Sequence, residues 1–320
     1  MVLTRTLEDR IASLYRAGDS IVGGVYLGRG QEAFSAALGA SLSQSDGDIF
    51  AGLIRDMAGR LAFGEALLDP ARTYLGSVLG PMRGRDGNIH RGRPKEGLPA
   101  MISHLGSLVS VVNGMLLARR LRNEPMGIGA TCVGDGATST GSFHEAMNMA
   151  AVERLPLVVG VANNQFAYST PTDRQYACDH LVDRAVGYGA DGHQVDGTDL
   201  QACLETFQQA IAAARETSKP QLVVGKLLRL AGHGEHDDAS YVDPTLRADP
   251  SGRDPIPVAE SQVLESGAAS QSDIELWRQE AITEVAEALS RAKNEPKPDA
   301  AQEDWRALAS QHLIEGQPAE

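Results

Sequence analysis

The apolar positions of this chain follow two kinds of pattern. Apolar residues recur at helical spacing in residues 7–15, 30–42 and 102–121, and each of these stretches predicts a helix. Residues 80–97 (GPMRGRDGNIHRGRPKEG) are instead rich in Gly, Pro and Arg and have no apolar period. This segment therefore predicts a loop or a mobile arm.

Three short apolar runs predict buried parallel strands: MGIGATCVGD (126–135), LPLVVGVANN (155–164) and PQLVVGKLLRLAG (220–232). Segments of helix length separate them, including LQACLETFQQAIAAARE before the third run. Alternation of this kind is typical of an α/β fold with a doubly wound, mostly parallel sheet flanked by helices.

The pattern changes at Asp254, where two further helices are predicted. We therefore expect residues 1–253 to form an α/β domain with an N-terminal helical segment. Residues 254–320 are expected to form a helical C-terminal extension packed on that domain, with a frayed polar end beyond Pro296.

Composition narrows the possible classes of protein. A chain of 320 residues with 42% hydrophobic residues can bury a substantial core. The net charge of −13 argues against a nucleic-acid binder or an anionic-membrane binder. No apolar run suits a membrane helix or a signal peptide, which predicts a cytoplasmic protein. The three cysteines, Cys132, Cys178 and Cys203, lack CxxC spacing and indicate core filling.

Polar side chains follow two of the predicted strands. Asp135 comes after the first run, between Gly134 and Gly136, and Asn164 ends the second. Carboxyl ends of parallel strands meet at one edge of a sheet, so these two side chains can converge. Their oxygens suit Mg²⁺, which binds few protein ligands and shares phosphate oxygens. The flanking glycines and a helix expected to begin near Thr138 would admit a phosphate.

The two motifs are separated by a defined spacing. Taken singly, Gly-Asp-Gly and Asn-Asn are ordinary turn residues and more often structural. Together they read G-D-G-x26-N-N, with 26 residues between the motifs. This spacing resembles the thiamine diphosphate fingerprint. A nicotinamide-binding alternative is disfavoured, because no strand leads into a G-x-G-x-x-G turn.

Other ordered motifs extend the resemblance over residues 11–298: LYRAGDSIVGGVYLGRGQEA, AVGYGADGHQVDGTDL, and DPI followed by helices. The chain resembles the alpha subunit of the decarboxylase component of 2-oxo acid dehydrogenase complexes, the pyruvate, branched-chain 2-oxo acid and acetoin dehydrogenase family. Such an enzyme decarboxylates a 2-oxo acid oxidatively with thiamine diphosphate and Mg²⁺, and transfers the acyl group to a lipoyl group.

The resemblance implies a role for individual residues of this chain. Mg²⁺ would be bound by Asp135, by the Asn164 side chain and by the Phe166 carbonyl. His233 would approach cofactor and substrate on a mobile loop as the catalytic residue. Contacts with the cofactor would come from further positions: Arg55, Gly134, Gly136 and Ala137 at the diphosphate, and the backbone of Ser103 and Leu105 at the aminopyrimidine ring.

The resemblance also implies partners. They are a beta subunit in a heterotetramer of two alpha and two beta chains, a lipoyl-bearing acyltransferase, and a small 2-oxo acid as substrate. The identity of that acid stays open. So do three alternatives: an acetoin dehydrogenase alpha subunit, a transketolase-like half enzyme and a non-catalytic structural relative. Departures from the family occur at Ile54, at Ala231 and in the arm at residues 84–97.

Overall fold

The computed structural model describes residues 1–87 and 90–302. Its main sheet contains strands β1, β2, β3, β6 and β7, and β4 and β5 form a separate antiparallel pair. The main sheet has the order β1-β2-β3-β7-β6, and every neighbouring pair is parallel. The predicted α/β fold class is therefore confirmed. The strands are β1 Ile49–Ala51, β2 Gly129–Gly134, β3 Leu157–Asn163, β4 Phe166–Ala167, β5 Thr170–Pro171, β6 Asp191–Asp196 and β7 Gln221–Lys226.

Several helices begin at a side chain that caps their first turn. Thr140, Asp199 and Ser270 each accept a hydrogen bond from a backbone N–H of the helix that follows. The α-helices are α1 Val2–Arg16, α2 Glu32–Ala40, α3 Met57–Phe63, α4 Leu68–Tyr74, α5 Ser107–Leu121, α6 Gly141–Val152, α7 Arg184–Tyr188, α8 Leu200–Thr217, α9 Pro244–Ala248, α10 Pro255–Glu265 and α11 Gln271–Asn294.

Helices cover both faces of the sheet. Val159 and Val161 of β3 belong to the core formed with α5 and α6, whereas Val158 belongs to the core formed with α2 and α8. Successive residues of a strand point to opposite faces, so a strand covered on both sides is apolar throughout. This explains why β3 was visible in the sequence as one continuous apolar run.

The helices that follow Asp254 pack on the N-terminal helices. Leu7 and Ile11 of α1 share a buried cluster with Val285 and Leu289 of α11. Arg5 donates two hydrogen bonds to Asp254, at 2.9 and 3.0 Å. The predicted frayed end of the chain lies mostly outside the described residues, which stop at 302.

Two helix starts differ from the sequence prediction. The helix predicted over residues 102–121 begins only at Ser107, because Gly106 before it has the left-handed φ of 79°. The helix expected near Thr138 begins at Gly141, and Asp135–Ser139 form a 3₁₀ turn instead. The turn gives the chain room to change direction between β2 and α6.

The predicted loop at residues 80–97 contains neither an α-helix nor a strand in its described part. Its C-terminal end is held by a buried ion-pair network in which Glu65 bonds both Arg60 and Arg91. Burial alone would raise the pKa of Glu65, but the two arginines lower it to about 2. The backbone of the arm is therefore attached to α3 and to the turn that follows it.

Among the described residues, no helix is long and apolar enough to cross a membrane.

Substitution of Glu65 tests this attachment. Glu65→Gln leaves two buried arginine charges without their carboxylate, so we expect a loss of about 3–5 kcal/mol in the free energy of unfolding. The matched control is Glu260→Gln in the exposed pair with Arg278, expected to cost less than about 1 kcal/mol. Urea unfolding of the full chain measures both. Equal effects of the two substitutions would show that the Glu65 network is not a stabilising feature.

Candidate active site

Two neighbouring strands bring Asp135 and Asn164 together. Gly134 at the end of β2 pairs with Ala162 in β3, and the strands are parallel. The residues that follow therefore emerge side by side at the carboxyl edge of the sheet. Both side chains are buried, Asp135 with 1% and Asn164 with 5% of its surface exposed.

Three oxygen atoms converge at this edge. Oδ1 of Asn164 lies 3.3 Å from Oδ1 of Asp135 and 3.0 Å from the carbonyl oxygen of Phe166. A rotated amide would place its nitrogen there and donate to both oxygens. The observed orientation is supported independently: Oδ1 accepts from the Phe166 N–H at 3.3 Å, and Nδ2 donates to Gln31 at 3.4 Å. Three acceptor oxygens that face one another, with no donor between them, are a set of ligands that suits a hard cation.

The environment of Asp135 also favours a positive partner. Its Oδ2 is buried and has no hydrogen-bond partner among the described residues. Burial raises the pKa of this carboxyl above its ordinary value, against the effect of Gln175. No group of three or more His, Cys, Asp or Glu side chains in the described ranges could hold a metal. A cation here would therefore depend on the amide and carbonyl oxygens as well.

Two arginines face this oxygen cluster across the cleft. Arg229 is buried and donates to the carbonyls of Ala231 and Tyr168, at 3.2 and 3.0 Å. Arg55 donates to the His233 carbonyl, and its Nε is buried with no hydrogen-bond partner in the described ranges. Neither guanidinium pairs with a carboxylate in the described part of the chain. Burial and the nearby charge of Arg229 lower the pKa of Arg55 to about 10, so an anion bound here would be stabilised by both.

His233 lies beside the arginines, between two tyrosines. Its ring centroid is 5.7 Å from that of Tyr26 and 4.4 Å from that of Tyr168. Nδ1 is buried and has no hydrogen-bond partner in the part of the chain that the structure describes. Burial, followed by the charges of Arg55 and Arg229, lowers the pKa of His233 to about 4. The imidazole is therefore neutral at pH 7 and can donate one hydrogen bond and accept another.

The cleft between these groups has a volume of about 280 Å³. Ser103 is exposed and does not line the cleft, and its hydroxyl lies 2.6 Å from Nε2 of His90. The side chain of Leu105 does line it, but its carbonyl accepts a hydrogen bond from Ser142 at 2.9 Å. Every other residue predicted for the site lines the cleft: Arg55, Gly134, Asp135, Gly136, Ala137, Asn164, Phe166 and His233.

Among the lining residues that were not predicted from the sequence are Gln31, Tyr168 and Arg229. Arg229 follows β7, whose carboxyl end lies beside that of β3. The rule that identified Asp135 and Asn164 would also have identified this arginine. Gln31 and Tyr168 lie in irregular segments, so no periodic pattern marks them.

A parallel α/β sheet with oxygen ligands and arginines at its carboxyl edge is typical of proteins that bind an anionic ligand there. The model of the family described as "Dehydrogenase E1 component" matches residues 1–301. The chain belongs to this family.

Curated relatives are similar over nearly the whole chain. The alpha subunit of acetoin:2,6-dichlorophenolindophenol oxidoreductase from Cupriavidus necator is 32% identical over 299 residues, which cover 92% of this chain and 87% of the relative. The 2-oxoisovalerate dehydrogenase subunit alpha from Bacillus subtilis is 31% identical, with 92% and 89% covered. The pyruvate dehydrogenase E1 component subunit alpha from Rickettsia conorii is 28% identical, with 93% and 90% covered.

The two glycines beside Asp135 allow a matched test of the cleft wall. A Cβ at Gly136 would lie 2.4 Å from the Cβ of Ala167, whereas one at Gly134 would meet nothing within 4 Å. We expect Gly136→Ala to lower the free energy of unfolding by about 1–3 kcal/mol. Gly134→Ala should be neutral or stabilising by up to about 1 kcal/mol. Thermal unfolding of both variants measures the difference, and equal stabilities would contradict the close approach of residues 136 and 167.

Proposed function

We propose that this chain is the alpha subunit of a 2-oxo acid dehydrogenase, which decarboxylates a 2-oxo acid oxidatively and transfers the acyl group to a lipoyl group. The cofactors are thiamine diphosphate and Mg²⁺. The observation that carries this proposal is the position of two complementary groups of side chains in one cleft. Three acceptor oxygens, one of them from a buried carboxylate, line it together with two arginines, and a metal-bridged diphosphate would complement both groups.

Each cluster has a separate task in this proposal. Asp135, the Asn164 side chain and the Phe166 carbonyl bind Mg²⁺. Arg55 and Arg229 neutralise the diphosphate, because a guanidinium presents several donors at a permanent charge. The backbone of Gly134, Gly136 and Ala137, at the end of β2 and in the turn after it, lies close to the phosphates.

When bound, thiamine diphosphate supplies a nucleophilic thiazolium carbon and an electron sink for decarboxylation. The residues of this chain orient the reactants and exclude water. His233 is neutral beside two fixed positive charges, so it can donate a hydrogen bond to a substrate oxygen without competing for the diphosphate as a cation. Its unpaired Nδ1 leaves it free to exchange a proton. Leu105 provides an apolar contact for the aminopyrimidine ring.

A partner chain completes the enzyme in this proposal. The relatives of this chain are named as alpha subunits, which supports a beta subunit as partner. In the family, a glutamate of the beta subunit contacts the aminopyrimidine ring. Several apolar side chains on α5 and α6 are exposed in this chain, namely Val111, Leu121, Met149 and Val152, as expected for surfaces that a partner covers. We propose two alpha and two beta chains, with a lipoyl-bearing acyltransferase as the acceptor of the acyl group.

Acetoin is a second candidate substrate. The relative from Cupriavidus necator, at 32% identity, is named for acetoin, and the 31% identical relative from Bacillus subtilis is named for 2-oxoisovalerate. Ile54 and Met101 line the cleft with apolar surface, which suits the small alkyl group of either substrate. Parallel assays with pyruvate, 2-oxoisovalerate and acetoin separate these candidates.

Reconstitution tests the proposed function. The chain mixed with its beta subunit should decarboxylate a 2-oxo acid in the presence of thiamine diphosphate and Mg²⁺, whereas the chain alone should not. Asp135→Asn should weaken Mg²⁺-dependent cofactor binding more than about tenfold, because a charged ligand is lost. Asp173→Asn, on an exposed carboxylate, is the matched control. Calorimetry that gives wild-type cofactor affinity for Asp135→Asn would refute the metal site.

His233 should contribute to turnover rather than to assembly. We expect His233→Ala to lower the rate of lipoyl acylation by about a hundredfold while the heterotetramer stays intact, because a proton-transfer group is lost. His144→Ala is the control, since His144 is exposed on α6 and its ring is hydrogen-bonded to the Tyr188 hydroxyl. Single-turnover rates, with assembly checked by light scattering, measure both variants. Acylation at the wild-type rate by His233→Ala would place this histidine outside the reaction.

A further inference from the structure

Three polar side chains outside the cleft form a continuous hydrogen-bonded chain. Oδ2 of Asp86 lies 2.5 Å from Nδ1 of His90, and Nε2 of His90 lies 2.6 Å from the hydroxyl oxygen of Ser103. The order is carboxylate, imidazole, hydroxyl, and each nitrogen of the ring has one partner. This is the arrangement in which a histidine activates a serine.

The chemistry of the three groups fixes the direction of the hydrogen bonds. An ionised carboxylate only accepts, so the contact with Asp86 places the ring proton on Nδ1 of His90. In the neutral imidazole Nε2 is then an acceptor, and the Ser103 hydroxyl donates to it. Ser103 is thereby prepared to lose its proton to His90 when the oxygen attacks an electrophile.

The backbone on both sides of this relay is anchored. Arg91, next to His90, is buried in a two-point pair with Glu65, and Arg93 makes a two-point pair with Asp69. On the other side, the carbonyl of Leu105, two residues after Ser103, accepts from Ser142. Both segments that contribute to this group of three side chains are therefore anchored, as the positioning of a catalytic group requires.

Ser103 is accessible at the rim of the cleft. Its side chain is exposed, and the neighbouring Ile102 and Leu105 line the cleft with apolar surface. An acyl group bound against these side chains would present its carbonyl carbon near the rim. We propose that Asp86, His90 and Ser103 form a second catalytic site, in which Ser103 is the nucleophile toward an ester or thioester of a small apolar acyl group.

The proposed step balances without a cofactor. The Ser103 oxygen forms a bond to the carbonyl carbon as its proton moves to Nε2 of His90. The bond between that carbon and the leaving oxygen or sulfur breaks, and the leaving group takes the proton from His90. Water then cleaves the acyl-serine by the same route, with His90 again accepting and returning a proton. Asp86 holds the ring in the required tautomer throughout.

The experiment uses the full chain without thiamine diphosphate, so its outcome is independent of the proposed 2-oxo acid activity. A fluorophosphonate probe is added and the modified residue is located by mass spectrometry. We expect labelling at Ser103, none in Ser103→Ala, and an initial burst with 4-nitrophenyl butyrate. Ser110→Ala, which removes an exposed serine of α5, should label and turn over like the wild type.

A second variant separates catalysis from mere attachment of the arm. His90→Gln keeps a side chain that hydrogen-bonds both neighbours but has no basic nitrogen. If Ser103 is activated, this variant should fold normally by circular dichroism and react at least about a hundredfold more slowly with the probe. Unchanged reactivity of His90→Gln, or a folded wild-type chain that the probe does not modify at Ser103, would overturn the proposal.

Discussion

The parallel pairing of β2 with β3 is the constraint on which the rest of the cleft depends. Its register places Asp135 next to Asn164, so a carboxylate is buried against an amide oxygen and a carbonyl oxygen. A buried carboxylate without a positive partner is costly, and Oδ2 of Asp135 has no hydrogen-bond partner among the described residues. A cation bound at this edge of the sheet would therefore stabilise the buried oxygen atoms.

The opposite wall of the cleft contains positively charged side chains. Burial and the nearby charge of Arg229 lower the pKa of Arg55 to about 10, although the carboxylates of Asp56 and Glu8 act in the opposite direction. Burial, followed by the charges of the two arginines, lowers the pKa of His233 and keeps it neutral at pH 7. One arrangement of charge thus divides the wall into two cationic groups, Arg55 and Arg229, and a neutral imidazole, His233. This division follows from position, because all three side chains lie beyond the ends of parallel strands or in the loops next to them.

The sequence predicted the strands that are both long and apolar, and it missed one strand that is polar and one that is short. β2, β3 and β7 are continuous apolar runs, and α8 has a clear helical period. β6 is the edge strand DGHQVD, with polar residues at most positions, and β1 has only 3 residues. Neither length nor hydrophobicity distinguishes such strands from loops. The start of α5 depended on the backbone conformation of Gly106, which no side-chain pattern encodes.

The site residues, too, were predictable only where they follow regular elements. Asp135 and Asn164 were predictable because strand ends are predictable, whereas the contact of His90 with Ser103 joins two irregular segments. That contact depends on the arm, which is anchored at both ends by tertiary interactions. Glu295, after α11, bonds Arg72 and Ser77, and the carbonyl of Pro296 accepts from Val78 at 3.0 Å. Since Glu65 holds the other end, the C-terminal extension and the turn after α3 together place the rim of the cleft. Distant parts of the chain, joined by ion pairs, hydrogen bonds and apolar contacts, thus determine which polar groups lie beside the cleft.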